Sequence, residues 1–185
     1  MSVLREGYPF IFVGLCGLAL LFGIFCIFFF RDPKIKITQG EGNILSPCNG
    51  TVMAIEENEN EKIIRVFLSV FDVHLQRSPV AGTCIDVTYK KGKFLAAWDK
   101  NAHIENEQNI ITIKADDGIY VVRQIAGLLA RRCVSWVKKD DFLKLGKKIG
   151  MIKFSSQVDL HIPLSKTVIV KPKEKVKAGI TVMAK

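Results

Sequence analysis

The chain has 185 residues, 49% of them hydrophobic, and 27 Lys and Arg against 18 Asp and Glu give a formal charge of +9. Setting aside an apolar first sixth leaves about 150 residues, enough for one core and too few for two. An acidic or multidomain protein is excluded, and the basic sign fits nucleic acid, an anionic membrane surface or an acidic substrate. Arg5 and Glu6 cancel and nothing else before Arg31 is charged, so the excess charge lies after residue 30. Cys16, Cys26, Cys48, Cys84 and Cys133 show no CxxC spacing and an odd count, and read as reduced, mostly buried thiols. His74, His103 and His161 also lack metal-ligand spacing, so no metal is expected.

Gly7 to Phe30 runs 24 residues without a charge, long enough to cross a hydrocarbon core of about 30 Å. It ends in Phe28-Phe29-Phe30-Arg31 rather than in small residues, which favours a retained anchor over a cleaved signal. Arg31, Lys34 and Lys36 follow it and only Arg5 precedes it, so the body is expected on the cytoplasmic side of the cell (inner) membrane. A membrane-dipping hairpin bending near Gly14, Gly17 and Gly23 is the minor alternative. The anchor turns the positive charge toward lipid and away from nucleic acid, each Lys or Arg near an anionic surface contributing about 1 kcal/mol.

Residues 34–43 are polar and contain Gly, and read as a linker. Ile44 to Val52 reads as strand, turn, strand, with Asn49-Gly50 supplying the turn. Glu56 to Lys62 is a charged loop, and Ile63 to Val70, rich in β-branched residues, is a buried strand. It leads to His74, whose titration range suits proton transfer at neutral pH. A His at a strand end is more often structural. Asp72 and Arg77 read as a local ion pair holding the turn. The polar stretch Glu105 to Asn109 would ordinarily be a solvated loop. Ile110 to Ala115 and Gly118 to Ile125, separated by Asp116-Asp117, form a hairpin. Lys138 to Lys148 is a charged connection, and Val158 to Ile162 and Thr167 to Val170 are short strands.

Between them lies Lys153-Phe154-Ser155-Ser156-Gln157-Val158-Asp159-Leu160. Ser-Ser alone is usually solvated backbone, but its surroundings give it weight. The run GMIKFSSQVDLHIP resembles the processing site of the phosphatidylserine decarboxylase family in its short membrane-anchored form, where a Gly-Ser bond is cut within Phe-Gly-Ser-Arg-Val-Asp. Five further segments resemble the family in the same order. Phe29-Phe30-Arg31-Asp32-Pro33 matches the junction after its anchor. Ser46-Pro47-Cys48-Asn49-Gly50 matches its Ser-Pro-Ala-Asp-Gly, and Phe71 to Gly82 matches its Phe-Asp-Val-His-x-Asn-Arg-x-Pro-x-x-Gly. Gly92 to Asn109 and Gln124 to Cys133 follow. Four of the departures bear on charge or cleavage: Ser155 stands for Gly, Gln157 and Gln108 for Arg, and Asn49 for the Asp assigned to a charge relay.

The resemblance implies that Ser156 Oγ adds to the Ser155 carbonyl, the amide becomes an ester, and β-elimination cuts the chain into residues 1–155 and 156–185. Hydrolysis of the resulting dehydroalanine leaves a pyruvoyl group at 156, an electrophile able to form a Schiff base with the amine of phosphatidylserine and accept electrons as CO₂ leaves. The product is phosphatidylethanolamine. By the same resemblance His74 assists processing or protonates the carbanion, or does both. Asn49 takes the relay position, where an amide orients a His but cannot stabilise an imidazolium as a carboxylate does. Arg77, Arg131 and Arg132 are candidate ligands for the phosphodiester. The expected architecture is mainly β, a sandwich or barrel-like single domain (34–185) behind an N-terminal transmembrane helix (1–33), with a homo-oligomer left open. Two other readings compete: a lipoyl- or biotinyl-like β-sandwich adaptor, from Ser-Pro-x-x-Gly-x-Val and the tail Val176-Lys177-Ala178-Gly179, and an uncleaved pseudoenzyme, from Ser155 with Asn49.

Overall fold

The computed structural model describes residues 3–95, 101–127, 132–153 and 156–185, with only the backbone of residues 3–10 and of Ser156. It divides into two compact units, Met1–Arg31 and Asp32–Lys185. The first is one uninterrupted helix, α1 (Val3–Phe29). Its segment Ile11–Phe29 has a mean hydropathy of 2.8 and, at 1.5 Å per residue, extends about 28 Å, enough to cross a hydrocarbon core. A Cβ added at Gly14, Gly17 or Gly23 would meet open space, and the helix does not turn back at any of them, so the hairpin alternative is not what forms. Arg31 closes the C-terminal end by donating from Nη1 to the Phe28 carbonyl at 2.8 Å, where a cation is favoured by the helix dipole.

The second unit is built from antiparallel strands. They are β1 (Ile44–Leu45), β2 (Gly50–Glu57), β3 (Glu61–Leu68), β4 (Leu75–Arg77), β5 (Gly82–Lys90), β6 (Gln108–Ala115), β7 (Gly118–Ala126), β8 (Arg132–Ser135), β9 (Phe142–Leu143), β10 (Lys148–Lys153), β11 (Ser156–Pro163), β12 (Lys175–Val176) and β13 (Val182–Ala184), with a short helix α2 (Ala102–Glu105) between β5 and β6. Eight of them form a sheet that curls into a half-barrel, in the order β12-β2-β3-β11-β7-β6-β5-β9, beside a three-stranded sheet β4-β10-β8 and the pair β1-β13. The expected hairpin is present as β6 and β7, joined by Asp116-Asp117 with Ala115 opposite Gly118. Thr167–Val170, expected as a strand, instead lies along β13 through a single bridge, Val168 to Ala184, and hydrogen bonds to Met183 and Lys185.

Alternation in the central strands decides what is core. Val158, Leu160 and Ile162 of β11 pack with Ile64, Val66 and Leu68 of β3 and with Tyr120 and Val122 of β7, all inaccessible to solvent. The segment read as a linker is pinned to this body: Thr38 Oγ1 donates to the Ile180 carbonyl at 2.7 Å, and Ile37 seats against two glycines. Gly146 (φ +74°) and Gly179 (φ +68°) adopt left-handed conformations, and a Cβ on either would approach Ile37 Cδ1 to 2.5 or 2.8 Å. Only glycine meets both demands. Cys48 and Cys84 are buried and Cys133 is half-buried; burial holds the Cys133 thiol up at about 12.

The other face of β11 is polar yet closed to water. Gln157, Asp159 and His161 are 3%, 2% and 3% exposed. Asp159 sits in register with Arg65 of β3 and Arg123 of β7. Arg65 Nε lies 3.5 Å from its carboxylate and Gln157 Nε2 donates to it at 2.6 Å. Desolvation outweighs these partners and lifts Asp159 from its ordinary 3.8 to about 6. The folded state therefore binds this proton more tightly than the unfolded chain does. Its contribution to stability is complete below pH 3.8 and is lost as pH rises through about 6. A shift of this size corresponds to about 3 kcal/mol, so Asp159→Asn should gain several degrees in thermal midpoint relative to the parent between pH 4.5 and 7.5, about 2–4 °C for each kcal/mol. A constant difference between the two proteins over that range would show that Asp159 is not the titrating group.

Candidate active site

β10 ends at Lys153 and β11 begins at Ser156, so the chain passes here from the three-stranded sheet into the eight-stranded one. Ser155 lies outside the described residues. The backbone of Ser156 stands between Leu68, the last residue of β3, and Ala126, the last of β7. Any group formed at Ser156 therefore heads a strand held along both edges.

After Leu68 the chain makes a tight turn. The Asp72 amide donates to the Ser69 carbonyl at 2.9 Å, and Asp72 Oδ2 accepts from the Ser69 amide at 2.9 Å and the Ser69 hydroxyl at 2.7 Å. An Asp accepting from its own turn is a common local device. The expected Asp72–Arg77 ion pair does not form. Arg77 points elsewhere, with Nη2 3.7 Å from Asp32 and Nη1 donating to the Gly146 carbonyl at 3.0 Å.

His74 follows this turn and is fully buried. Its Nδ1 lies 2.9 Å from the Asp72 carbonyl. A carbonyl can only accept, so Nδ1 carries a proton, and in the neutral form of the ring the lone pair lies on Nε2. The His74 carbonyl accepts from the Ile152 amide at 3.2 Å and from Gln76 Nε2 at 2.7 Å. The segment bearing His74 is thus joined to chain on both sides of the β10–β11 junction, through Leu68 opposite Ser156 and through Ile152 just before it.

Asn49 lines, with Val73 and Leu75, a cavity of about 230 Å³ that also receives Asp32, Arg77 and Lys177. Its Oδ1 accepts from the Ala178 amide at 2.9 Å, clasping the C-terminal turn to the Asn49-Gly50 bend. Gly50 lets β2 pass close to β3, since a Cβ there would come within 2.2 Å of the Phe67 carbonyl. Of the candidate phosphate ligands, Arg77 is nearly buried, Arg131 lies outside the described residues, and Arg132 is exposed, opposite Lys153 in the β8–β10 register.

Sequence reasoning missed the buried polar run that leads into β6. Asn106, Gln108 and Asn109, expected in a solvated loop, are at most 3% exposed, and Glu107 is 6% exposed. Asn106 grips the Leu95 backbone and the Ala126 carbonyl, at 2.8, 2.9 and 2.7 Å. The clue was compositional: several amide side chains in succession, directly ahead of an alternating strand.

A family model described as phosphatidylserine decarboxylase matches residues 22–184. A phosphatidylserine decarboxylase proenzyme from Solibacter usitatus is 40% identical over 166 residues, covering 90% of this chain and 81% of that relative. Proenzymes of the same name from Symbiobacterium thermophilum and Magnetococcus marinus are 39% and 35% identical, each covering 99% of this chain and 95% and 94% of their own lengths. Similarity of this extent takes in α1's second half, the Asn49 bend, the His74 turn and the strand that opens at Ser156, and on it the chain belongs to the phosphatidylserine decarboxylase family.

Proposed function

We propose that this chain is a membrane-anchored enzyme that cuts itself between Ser155 and Ser156 and then converts phosphatidylserine to phosphatidylethanolamine and CO₂. What supports it, beyond family membership, is one observation: a fully buried His74 with its proton fixed on Nδ1, in a segment tied to chain on both sides of Ser156. In processing, His74 Nε2 takes the Ser156 hydroxyl proton as Oγ bonds to the Ser155 carbonyl carbon, and passes it to the Ser156 nitrogen, which leaves that carbon as an amine. Loss of the Ser156 α-proton then expels the Ser155 carboxylate, and water releases ammonia from the dehydroalanine. The pyruvoyl group so formed supplies an electrophilic carbonyl for the substrate amine and a sink for the electrons of the breaking Cα–carboxylate bond. The site suits it, because Ser156 opens a strand bonded on both edges. His74 afterwards returns a proton to the substrate carbon. Residues 156–185 stay bound through β11, β12 and β13.

α1 anchors the body on the cytoplasmic side of the cell membrane, in keeping with Arg31, Lys34 and Lys36 after it. Exposure favours Arg132 over Arg77 for the phosphodiester, since Arg77 is already shared between Asp32 and Gly146. Asn49 holds the C-terminal turn, and a carboxylate would accept from the same Ala178 amide while restoring the negative charge that the resemblance has at this position.

Denaturing mass spectrometry of the purified protein should give two pieces, 1–155 and 156–185, the smaller blocked at its N-terminus and labelled by borohydride. An intact chain would leave the pseudoenzyme reading standing and remove this one. Ser156→Ala should remain whole, and His74→Ala should process at least about 100-fold more slowly. Asn49→Asp should mature faster than the parent. Asn49→Ala should lower the thermal midpoint by about 2–8 °C, from loss of a partner for a buried amide worth about 1–2 kcal/mol. Arg132→Gln should raise KM about tenfold with self-processing unchanged; an unaltered KM would release Arg132 from this role.

A further inference from the structure

The two halves of the site sit in different sheets. Ser156 opens a strand of the eight-stranded sheet, and His74 precedes β4 of the three-stranded one. Their separation depends on what ties the sheets together. One tie is a row of three buried amide side chains, Gln76 of β4, Gln124 of β7 and Asn109 of β6, at most 3% exposed. Gln76 Nε2 donates to the His74 carbonyl at 2.7 Å, Gln124 Nε2 donates to Gln76 Oε1 at 2.7 Å, and Asn109 Nδ2 donates to Gln124 Oε1 at 2.8 Å.

The sense of this row is forced from one end. The His74 carbonyl can only accept, so Gln76 must present its NH₂ to it and its oxygen to Gln124. Gln124 must then present its NH₂ to Gln76 and its oxygen to Asn109. No amide can flip without breaking the row. Gln124 is the member in the large sheet's frame: it pairs with Asn109 on one side and with Val158 of the reactive strand on the other. Its amide is seated under β10, where a Cβ on Gly150 would come within 2.6 Å of Gln124 Nε2. Apolar contacts would let the sheets slide; hydrogen bonds of fixed length and direction hold one spacing.

We propose that Gln124 is a positioning residue for the proton transfers at Ser156, setting the place of His74 through Gln76. This rests on the reading of His74 given above. Among the described residues the Gln124 side chain bonds to Gln76, Asn109 and Val134 and not to the His74 ring, so its effect is expected to pass through the position of the histidine.

The test uses the full chain in detergent micelles. Gln124→Met is measured for self-processing rate and, in the uncleavable Ser156→Ala background, for the ¹⁵N signals of the His74 ring, identified by their loss in His74→Ala. The expected result is a rate lower by roughly 10- to 100-fold, the usual cost of an ångström of misplacement, together with altered His74 ring signals. A wild-type rate, or a slow rate with unaltered ring signals, overturns the proposal. Should Gln124→Met fail to fold, Gln76→Leu/Asn109→Leu/Gln124→Met removes the whole row and leaves no orphaned amide. That variant should fold and still process slowly; recovery of the wild-type rate would reduce the row to packing. His74→Ala is run beside them. Wild-type processing there sinks the reading of His74 and this proposal with it, whereas slow His74→Ala beside fast Gln124→Met sinks only the proposal.

Discussion

β11 is hydrogen-bonded along both edges, to β3 from Ser156 to Pro163 and to β7 from Ser156 to His161. That double pairing is the constraint on which the rest of the body depends. A strand broken ahead of its first residue would ordinarily fray from the new end, because a free terminus has few contacts to hold it. Here the first residue is already a full ladder position, and its neighbours Val158, Leu160 and Ile162 fill the core. The strand has no soluble alternative. A backbone cut ahead of Ser156 therefore changes the covalent structure without removing the contacts that keep the segment in place.

The polar face of β11 is closed to water as well. Its side chains therefore look to the protein for partners. Asp159 meets Gln157 and two arginines on one face, and the amides of Gln76, Gln124 and Asn109 close the gap between the sheets. Such networks contribute less to net stability than an apolar core of the same size would, but they admit one geometry. The proposed site, divided between two sheets, needs that.

Much of this was legible in the sequence because it is local. The 24-residue apolar run could only be a long apolar helix, and the strict alternation either side of Asp116-Asp117 could only be a hairpin. The order of six short motifs carried the family. What could not be read were partners distant along the chain. Arg77 finds Asp32 and Gly146 rather than nearby Asp72, because the Ser69 turn takes Asp72 first. Glu105 to Asn109 has the composition of a solvated loop, yet Asn106 turns to Leu95 and Ala126 and Asn109 to Gln124, partners that the local sequence does not announce. Thr167–Val170 has strand-like residues, but the neighbour it lies along, β13, is three residues long.

Three of the departures from the family pattern share a chemistry: each puts a neutral amide where the resemblance has a charge. Asn49 stands for Asp, and Gln108 and Gln157 stand for Arg. Each amide keeps a hydrogen bond, Asn49 from the Ala178 amide, Gln108 to the His103 carbonyl at 2.7 Å and Gln157 to Asp159 at 2.6 Å. The bond is retained while the cost of desolvating an ion is avoided, which matters most for Gln108 and Gln157, at 1% and 3% exposed. The exchange at residue 157 has a consequence for its neighbour. A guanidinium there would hold the Asp159 carboxylate ionised, whereas an amide dipole opposes burial only weakly, and the Asp159 proton is retained up to about pH 6. One substitution of charge by dipole thus makes β11 sensitive to pH from a face opposite to the one that packs into the core.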